Sequence, residues 1–130
     1  MQALPRQAID LSWDEFRAML TSLGPAVPGP TTERFEREIA DFVGASHAVS
    51  FGSQRSGMYA VLKALEPREG DEVIVPAYTF FSVPACVVLA GLKPVFVDVD
   101  PVTWNLDPEK VRGAITPKTR AIVVTHLNGC

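Results

Sequence analysis

The amino-terminal part of the chain repeats its hydrophobic positions with the period of a helix. Ser12 and Glu15 have the spacing of a capping box and begin a segment over residues 12–23. One face of this segment carries the apolar residues Trp13, Phe16, Met19 and Leu20. The pattern predicts a short amphipathic helix, followed by a turn at Gly24 and a stiff connection rich in proline.

A second helix is predicted to end at Gly44, because glycine often closes a helix. Thr31 or Thr32 can cap its beginning. Its apolar residues recur at i, i+4, i+7 and i+8, and they are Phe35, Ile39, Phe42 and Val43. We expect this stripe to pack on a core.

From residue 47 onward, short apolar runs alternate with helical segments. The runs cover residues 47–51, 72–75, 94–99 and 120–125, and the helices between them cover residues 55–65, 80–90 and 108–115. The runs are nearly continuous in apolar residues, which is typical of parallel strands that helices cover on both faces. Asp107 and Pro108 supply the cap and the first position of the last helix. The order β-α-β-α-β-α-β predicts an α/β fold with a parallel sheet.

The composition indicates a globular protein and excludes several other classes. The chain has 130 residues, of which 47% are hydrophobic and 21% are charged, so it is neither disordered nor fibrous and fits one domain. A net charge of −3 without a basic face argues against nucleic-acid binding. No apolar stretch is long enough to span a membrane, and two distant cysteines, Cys86 and Cys130, make no disulfide framework. We expect a cytoplasmic protein with reduced thiols.

The loops at the carboxyl ends of the strands are the places to look for chemistry, because open parallel sheets bind ligands there. These loops cover residues 52–56, 76–80, 98–107 and 126–130. In the first loop, the backbone N–H groups at the helix start, with Arg55 adding charge, could bind a phosphate. The alternative is an ordinary strand-to-helix turn with Ser53 as its cap, and the residues alone leave both interpretations open.

The second loop carries three aromatic residues, Tyr78, Phe80 and Phe81. An aromatic ring at this position could stack on a flat cofactor ring. The alternative is packing in the core, which we favour for at least one of Phe80 and Phe81.

The other polar candidates favour structural roles. Asp98 and Asp100 end a strand without histidine partners, which indicates a capped turn rather than a metal site. Cys86 lies among apolar residues of a helix, where a thiol is usually inert. His47 and His126 flank strands without a nucleophile beside them. No lysine is placed as a Schiff-base nucleophile, and the four lysines are Lys63, Lys93, Lys110 and Lys118.

Several motifs together resemble the amino-terminal part of a known family. They include FERE at 35–38, HAV at 47–49, GDEVIVPAYTF at 70–80, PVFVDVD at 94–100, AITPKTRAI at 114–122 and HLNG at 126–129. In this order and spacing, residues 29–129 resemble the DegT-type (DegT/DnrJ/StrS) sugar aminotransferases, which are pyridoxal-phosphate enzymes of fold type I. The resemblance implies a three-layer α/β sandwich with a mostly parallel sheet, present here as an incomplete large domain. Residues 1–30 would form an amino-terminal helix and linker, and residues 31–130 the first part of the cofactor-binding domain.

The resemblance also implies a site for pyridoxal 5′-phosphate. The family's phosphate loop aligns with residues 53–55, so the backbone of Gln54 and Arg55 would hold the cofactor phosphate. Phe80 would stack on the pyridine ring. Gln54 stands where the family usually has glycine, and Cys130 also departs from the family pattern.

The chemical centre implied by the resemblance lies outside this sequence. In the family, the aspartate that pairs with the pyridine nitrogen and the lysine that anchors the cofactor both lie downstream of the matched region. We therefore expect no catalytic residue in this chain, and we expect that the chain alone does not transaminate. The chain also stops directly after its last apolar run, so we expect these residues to belong to a longer enzyme.

The resemblance implies an aminotransferase that passes an amino group, from glutamate, to a keto sugar on a nucleotide. It also implies a homodimer. Two alternatives stay open, because nothing in these residues separates them. The first is a sugar dehydratase of the same family that uses the same cofactor. The second is a non-catalytic fragment or interaction module, which the departure at Gln54 would favour.

Overall fold

The structure, a computed structural model, describes residues 12–14, 17 and 29–129. The backbone divides between Val49 and Ser50 into two compact units. Of the helix predicted over residues 12–23, Trp13, Asp14 and Arg17 are helical, and the other positions lie outside the described residues apart from Ser12. Cys130 also lies outside them.

The first unit contains helix α1, Pro30–Val43. Its cap is Gly29, so the prediction of Thr31 or Thr32 as the cap was wrong by two to three positions. The reason is Pro30, whose fixed φ suits the first helical position and moves the helix start ahead of the threonines. The predicted end is confirmed, because Gly44 adopts the left-handed conformation with a φ of 71°.

The apolar stripe of helix α1 does not pack on a core within its unit. All four of its residues are exposed, and Ala40 is the buried position of the helix. The expectation of core packing was therefore wrong, because the described residues of this unit include no second long element that covers the stripe.

The second unit is built on a parallel sheet of three strands. They are β1 (Glu72–Pro76), β2 (Lys93–Val97) and β3 (Thr119–Ile122), in the spatial order β2-β1-β3. Both pairings are parallel, which confirms the prediction. Three helices, α2 (Gln54–Ala64), α3 (Ser82–Leu89) and α4 (Pro108–Ala114), and a short 3₁₀ turn, Leu127–Gly129, complete the unit. Each helix lies within two residues of its predicted bounds, and none in the described chain is long and apolar enough to cross a bilayer.

The strand predicted over residues 47–51 is wrong. These residues are not part of the sheet, and Val49 and Phe51 are exposed. A strand exists only where a neighbour completes its hydrogen-bond ladder, and no strand in the described part of the chain pairs with this segment.

The core lies between strand β1 and the pair of helices α2 and α3. Val73 and Val75 point into it, together with Leu62, Val83, Cys86, Val87, Ala90 and Leu92. Ile74 is also fully buried and, by strand alternation, faces the opposite side of the sheet with its neighbour Ile122. Strand β1 is thus covered on both faces, as predicted, whereas β2 and β3 are half-exposed because they are the edges of the sheet.

A buried carboxylate joins the amino ends of the sheet. Glu72 accepts hydrogen bonds from the Thr116 hydroxyl at 2.7 Å and from Lys93 Nζ at 3.1 Å. The Thr116 hydroxyl and then the Lys93 ammonium lower the pKa of Glu72, because both stabilise its charged form. This contact connects β1, β2 and the turn before β3 at the end of the sheet opposite the loops that follow the carboxyl ends of the strands.

Candidate functional site

The start of helix α2 presents two backbone donors. Ser53 has extended backbone angles, and its hydroxyl accepts a hydrogen bond from the Ser56 N–H at 3.2 Å. The Ser53 carbonyl accepts from the Gly57 N–H at 3.2 Å. Ser53 is therefore the cap that one sequence interpretation proposed. The cap leaves the N–H groups of Gln54 and Arg55 without an intrahelical acceptor, and such groups at a helix start attract anions.

A small cavity lies at these two donors. It has a volume of about 190 Å³ and is lined by Ser53, Gln54, Arg55, Phe80 and Ser82. The structure thus brings Gln54, Arg55 and Phe80 together, although Phe80 lies in the loop after strand β1, beyond the end of helix α2. The cavity offers backbone N–H groups, hydroxyls and a guanidinium, which is the donor chemistry that a phosphate requires.

Phe80 and Phe81 both lie on the surface, at 62% and 70% exposure. Their ring centroids are 4.6 Å apart at an angle of 50°. The expectation that at least one of them packs in the core was wrong. The reason is that the loop turns outward after Pro76, and Val83 on helix α3 supplies the core contact instead.

A second cavity, of about 420 Å³, also borders Phe80. It is lined by Gln54, Tyr78, Thr79, Phe80, Val83, Thr125 and Leu127. The hydroxyls of Thr79 and Thr125 lie 3.3 Å apart and share a hydrogen bond, which joins the loop after β1 to the segment after β3. Gln54 and Phe80 line both cavities, so the smaller and the larger cavity are neighbours.

An aromatic pair stands next to the larger cavity. The rings of Tyr78 and Trp104 have centroids 5.0 Å apart at an angle of 54°. The hairpin that carries Trp104 is attached to the segment after β3, because the Leu127 N–H donates to Asn105 Oδ1 at 3.1 Å. Trp104, Thr125 and Leu127 were not among the site residues predicted from the sequence. Their position in or beside loops at the carboxyl ends of strands is the signal that could have indicated them.

The acidic candidates have structural roles. Asp100 accepts hydrogen bonds from the N–H groups of Val102 and Thr103, at 2.9 and 2.7 Å. The Thr103 N–H and then the Val102 N–H lower the pKa of this carboxyl. Asp98 lies 3.7 Å from Lys110 Nζ. No cluster of three metal-ligating side chains occurs among the described residues.

The remaining candidates, which are the cysteine, lysine and histidine side chains, are not among the described residues that line the two cavities. Cys86 is buried in the core, and its thiol donates a weak hydrogen bond to the Arg55 carbonyl at 3.7 Å. Lys93 Nζ binds Glu72 at the amino side of the sheet, and Lys63 lies in the last turn of helix α2. Lys118 lies in the turn before β3, also at the amino side, with its Nζ close to Gly70. His126 lies just before the short 3₁₀ turn, and His47 belongs to the first unit.

Comparison with known proteins agrees with this geometry. Residues 10–130 match the DegT/DnrJ/EryC1/StrS aminotransferase family. The chain belongs to this family. It is 42% identical, over 82% of its length, to the UDP-2-acetamido-2-deoxy-3-oxo-D-glucuronate aminotransferase of Pseudomonas aeruginosa, and it spans 30% of that protein.

Solved structures of related proteins superpose on this chain. NtdA from Bacillus subtilis, solved with bound cofactor PMP, superposes with a TM-score of 0.80 at 32% identity, covering 92% of this chain and 29% of that one. A GDP-4-keto-6-deoxymannose-3-dehydratase, solved with a trapped PLP-glutamate geminal diamine, superposes with a TM-score of 0.74 at 28% identity, covering 84% and 30%. The chain therefore spans less than a third of the length of the relatives that it matches.

Proposed function

We propose that the chain is the amino-terminal part of a pyridoxal-phosphate (PLP) aminotransferase that acts on a keto sugar carried on a nucleotide. The observation that carries the proposal is that Gln54 and Arg55, at the start of helix α2, line one cavity together with the exposed Phe80. Family membership and a relative named as a UDP-sugar aminotransferase support it. Glutamate is the proposed amino donor, supported by the relative that was solved with a trapped PLP-glutamate adduct.

In this proposal, the start of helix α2 holds the cofactor phosphate. The N–H groups of Gln54 and Arg55 donate to its oxygens, and the Arg55 guanidinium adds a positive charge at the rim. Phe80, which lines both cavities, would stack on the cofactor ring, and the larger cavity would admit the sugar. PLP itself supplies the chemistry of amino-group exchange when it is bound.

The groups that act on the bound cofactor belong, in this proposal, to the rest of a longer protein. The lysines of this chain support that view, because none of the four is among the described residues that line the two cavities. Residues 31–130 would then form the first part of the cofactor-binding domain, after a helix and linker over residues 1–30. We place the enzyme in the cytoplasm, where the free thiol of Cys86 would stay reduced.

We also propose that the enzyme is a homodimer that uses an apolar groove between helices α2 and α3. The groove has a volume of about 580 Å³, and Tyr59, Phe81 and Leu89 are exposed along it. Arg55 is the charged side chain among its described lining residues, and Arg55 also lines the phosphate cavity. A second copy seated in the groove would therefore border the cofactor site.

One alternative keeps the cofactor and changes the reaction. A dehydratase of GDP-4-keto-6-deoxymannose shares this part of the fold at 28% identity, so a sugar dehydratase is the second candidate. Both candidates use the same phosphate cavity and the same aromatic ring.

The test is an assay of the full-length protein that carries this chain, purified with PLP. It is incubated with UDP-linked keto sugars and ¹⁵N-glutamate, and the products are followed by mass spectrometry. The proposal expects a ¹⁵N-labelled amino sugar and an equal amount of 2-oxoglutarate. A deoxygenated sugar without nitrogen would assign the dehydratase, and a protein that binds no PLP would contradict both candidates.

A further inference from the structure

Two aromatic rings stand exposed at the edge of the proposed substrate cavity. Tyr78 is 54% exposed and Trp104 is 49% exposed, and their rings meet at 5.0 Å with an angle of 54°. The two rings therefore form an open wedge rather than a closed stack. Exposed Trp and Tyr rings in such pairs are typical of surfaces that bind another flat ring.

The backbone at Trp104 is held in a conformation that a bulky residue rarely adopts. Its φ is 62°, in the left-handed region that favours glycine or asparagine. The surrounding hairpin enforces this, because the Trp104 N–H donates to the Asp100 carbonyl and the Asp100 N–H to the Asn105 carbonyl, both at 2.8 Å. Strain of this kind persists at binding sites, where it keeps a side chain in its working position.

The aromatic pair extends a series of neighbouring residues that begins at the phosphate cavity. The start of helix α2 and Phe80 line the smaller cavity, and Phe80 and Tyr78 line the larger one. Tyr78 in turn contacts Trp104. Trp104 is therefore the last residue of this series, counted from the cavity proposed to hold the cofactor phosphate.

We propose that Tyr78 and Trp104 bind the base of the nucleotide that carries the sugar. This inference rests on the proposed function, in which the keto sugar occupies the cavity between Phe80 and Tyr78. The base of a nucleotide-linked sugar lies at the opposite end of the substrate from the reacting carbon. Two aromatic rings that meet at an angle beside the cavity can contact the flat face and the edge of such a base, and the hairpin is already held by its own hydrogen bonds, so that binding has little ordering cost.

The experiment measures dissociation constants of the full-length protein by calorimetry. The probes are UDP, GDP and dTDP, and glucose 1-phosphate represents a sugar phosphate without a base. Trp104→Gly and Trp104→Asn remove the ring but suit the left-handed backbone, so both variants keep the hairpin. Tyr78→Ala removes the second ring, Tyr78→Phe retains it, and Phe96→Ala removes an exposed ring on strand β2, away from the pair.

We expect both Trp104 variants and Tyr78→Ala to bind the preferred nucleoside diphosphate about ten-fold more weakly or worse. Tyr78→Phe and Phe96→Ala should match the wild type, and PLP affinity should be the same in every variant. Unchanged nucleotide affinity in the Trp104 variants would overturn the inference while leaving the proposed function intact. Weaker binding of glucose 1-phosphate alone would assign the pair to the sugar and would also overturn it. Loss of PLP binding by the wild type would instead contradict the proposed function.

Discussion

Two backbone N–H groups, at Gln54 and Arg55, are the most chemically important groups of this chain in our account. Gln54 stands where the family usually has glycine, but its backbone is helical and does not have a positive φ. Glycine is therefore not required for this conformation, and the N–H donor is the same whatever the side chain. The departure at Gln54 does not by itself argue for a non-catalytic module.

At the same scale, the Glu72 carboxylate predicts a dependence of stability on pH. Its pKa in the folded protein lies below the ordinary value of 4.5, so its contribution is present above that pH and is lost as the pH falls through the folded pKa. We expect Glu72→Gln to lower the melting temperature at neutral pH and to lower it less below pH 4.5. Thermal melting followed by circular dichroism at a series of pH values measures this.

Glu109→Gln is the matched control, because Glu109 pairs with Arg112 on the surface. An exposed pair of this kind contributes little, so this variant should melt like the wild type throughout. A melting difference for Glu72→Gln that does not change with pH would contradict the role assigned to its charge.

At the scale of elements, helix α2 combines a binding role with an unfavourable residue. Gly57 lies in its first turn, and a Cβ at this position would lie 3.2 Å from Cδ2 of the Phe51 ring. In helix α4, a Cβ on Gly113 would meet no atom within 4 Å. The two glycines therefore have the same entropic cost in a helix but different space around them.

We expect Gly113→Ala to stabilise the protein by about 0.5–1 kcal/mol, because alanine loses less backbone entropy in a helix. Gly57→Ala should give a smaller gain, since the half-exposed Phe51 ring must shift to admit the methyl group. Chemical denaturation gives both free energies of unfolding. A larger gain in the free energy of unfolding at Gly57 than at Gly113 would show that contact with the Phe51 ring does not oppose the added methyl group.

The helix ends that the sequence predicted correctly are those with local causes. Helix α4 begins at Asp107, whose carboxylate accepts from the N–H groups of Glu109 and Lys110, and helix α1 ends at Gly44. The strand predicted over residues 47–51 failed because pairing is not local, and the apolar pattern does not say whether a neighbour is present. The prediction that Phe80 or Phe81 packs in the core failed for a similar reason, since an aromatic residue fits a core or a binding surface equally well.

The candidate site was partly predictable. The approach of Gln54, Arg55 and Phe80 follows from the rule that parallel sheets bind ligands at their carboxyl ends, together with the family resemblance. The hydroxyl pair of Thr79 and Thr125 joins residues 46 positions apart, so only the folded chain shows it.

At the scale of the whole molecule, the apolar groove between helices α2 and α3 predicts association. We expect Leu89→Glu, which places a charge on a residue that is 72% exposed in the groove, to convert the proposed dimer of the full-length protein to a monomer. Val102→Glu is the control, because Val102 is 83% exposed in a loop outside the groove. Sedimentation velocity measures both. A Leu89→Glu protein that stays dimeric would move the interface elsewhere.

The central claim is that the start of helix α2 holds a phosphate through its backbone. Gln54→Pro removes one of the two proposed donors, and proline suits the first helical position after the extended backbone of Ser53. Gln54→Ala keeps the N–H group and is the control. The measurement is the dissociation constant for PLP of the full-length protein. Our account predicts that Gln54→Pro weakens binding about ten-fold or more, as expected for a hydrogen bond to a charged group, while Gln54→Ala binds like the wild type. Equal affinity of the two variants would contradict it.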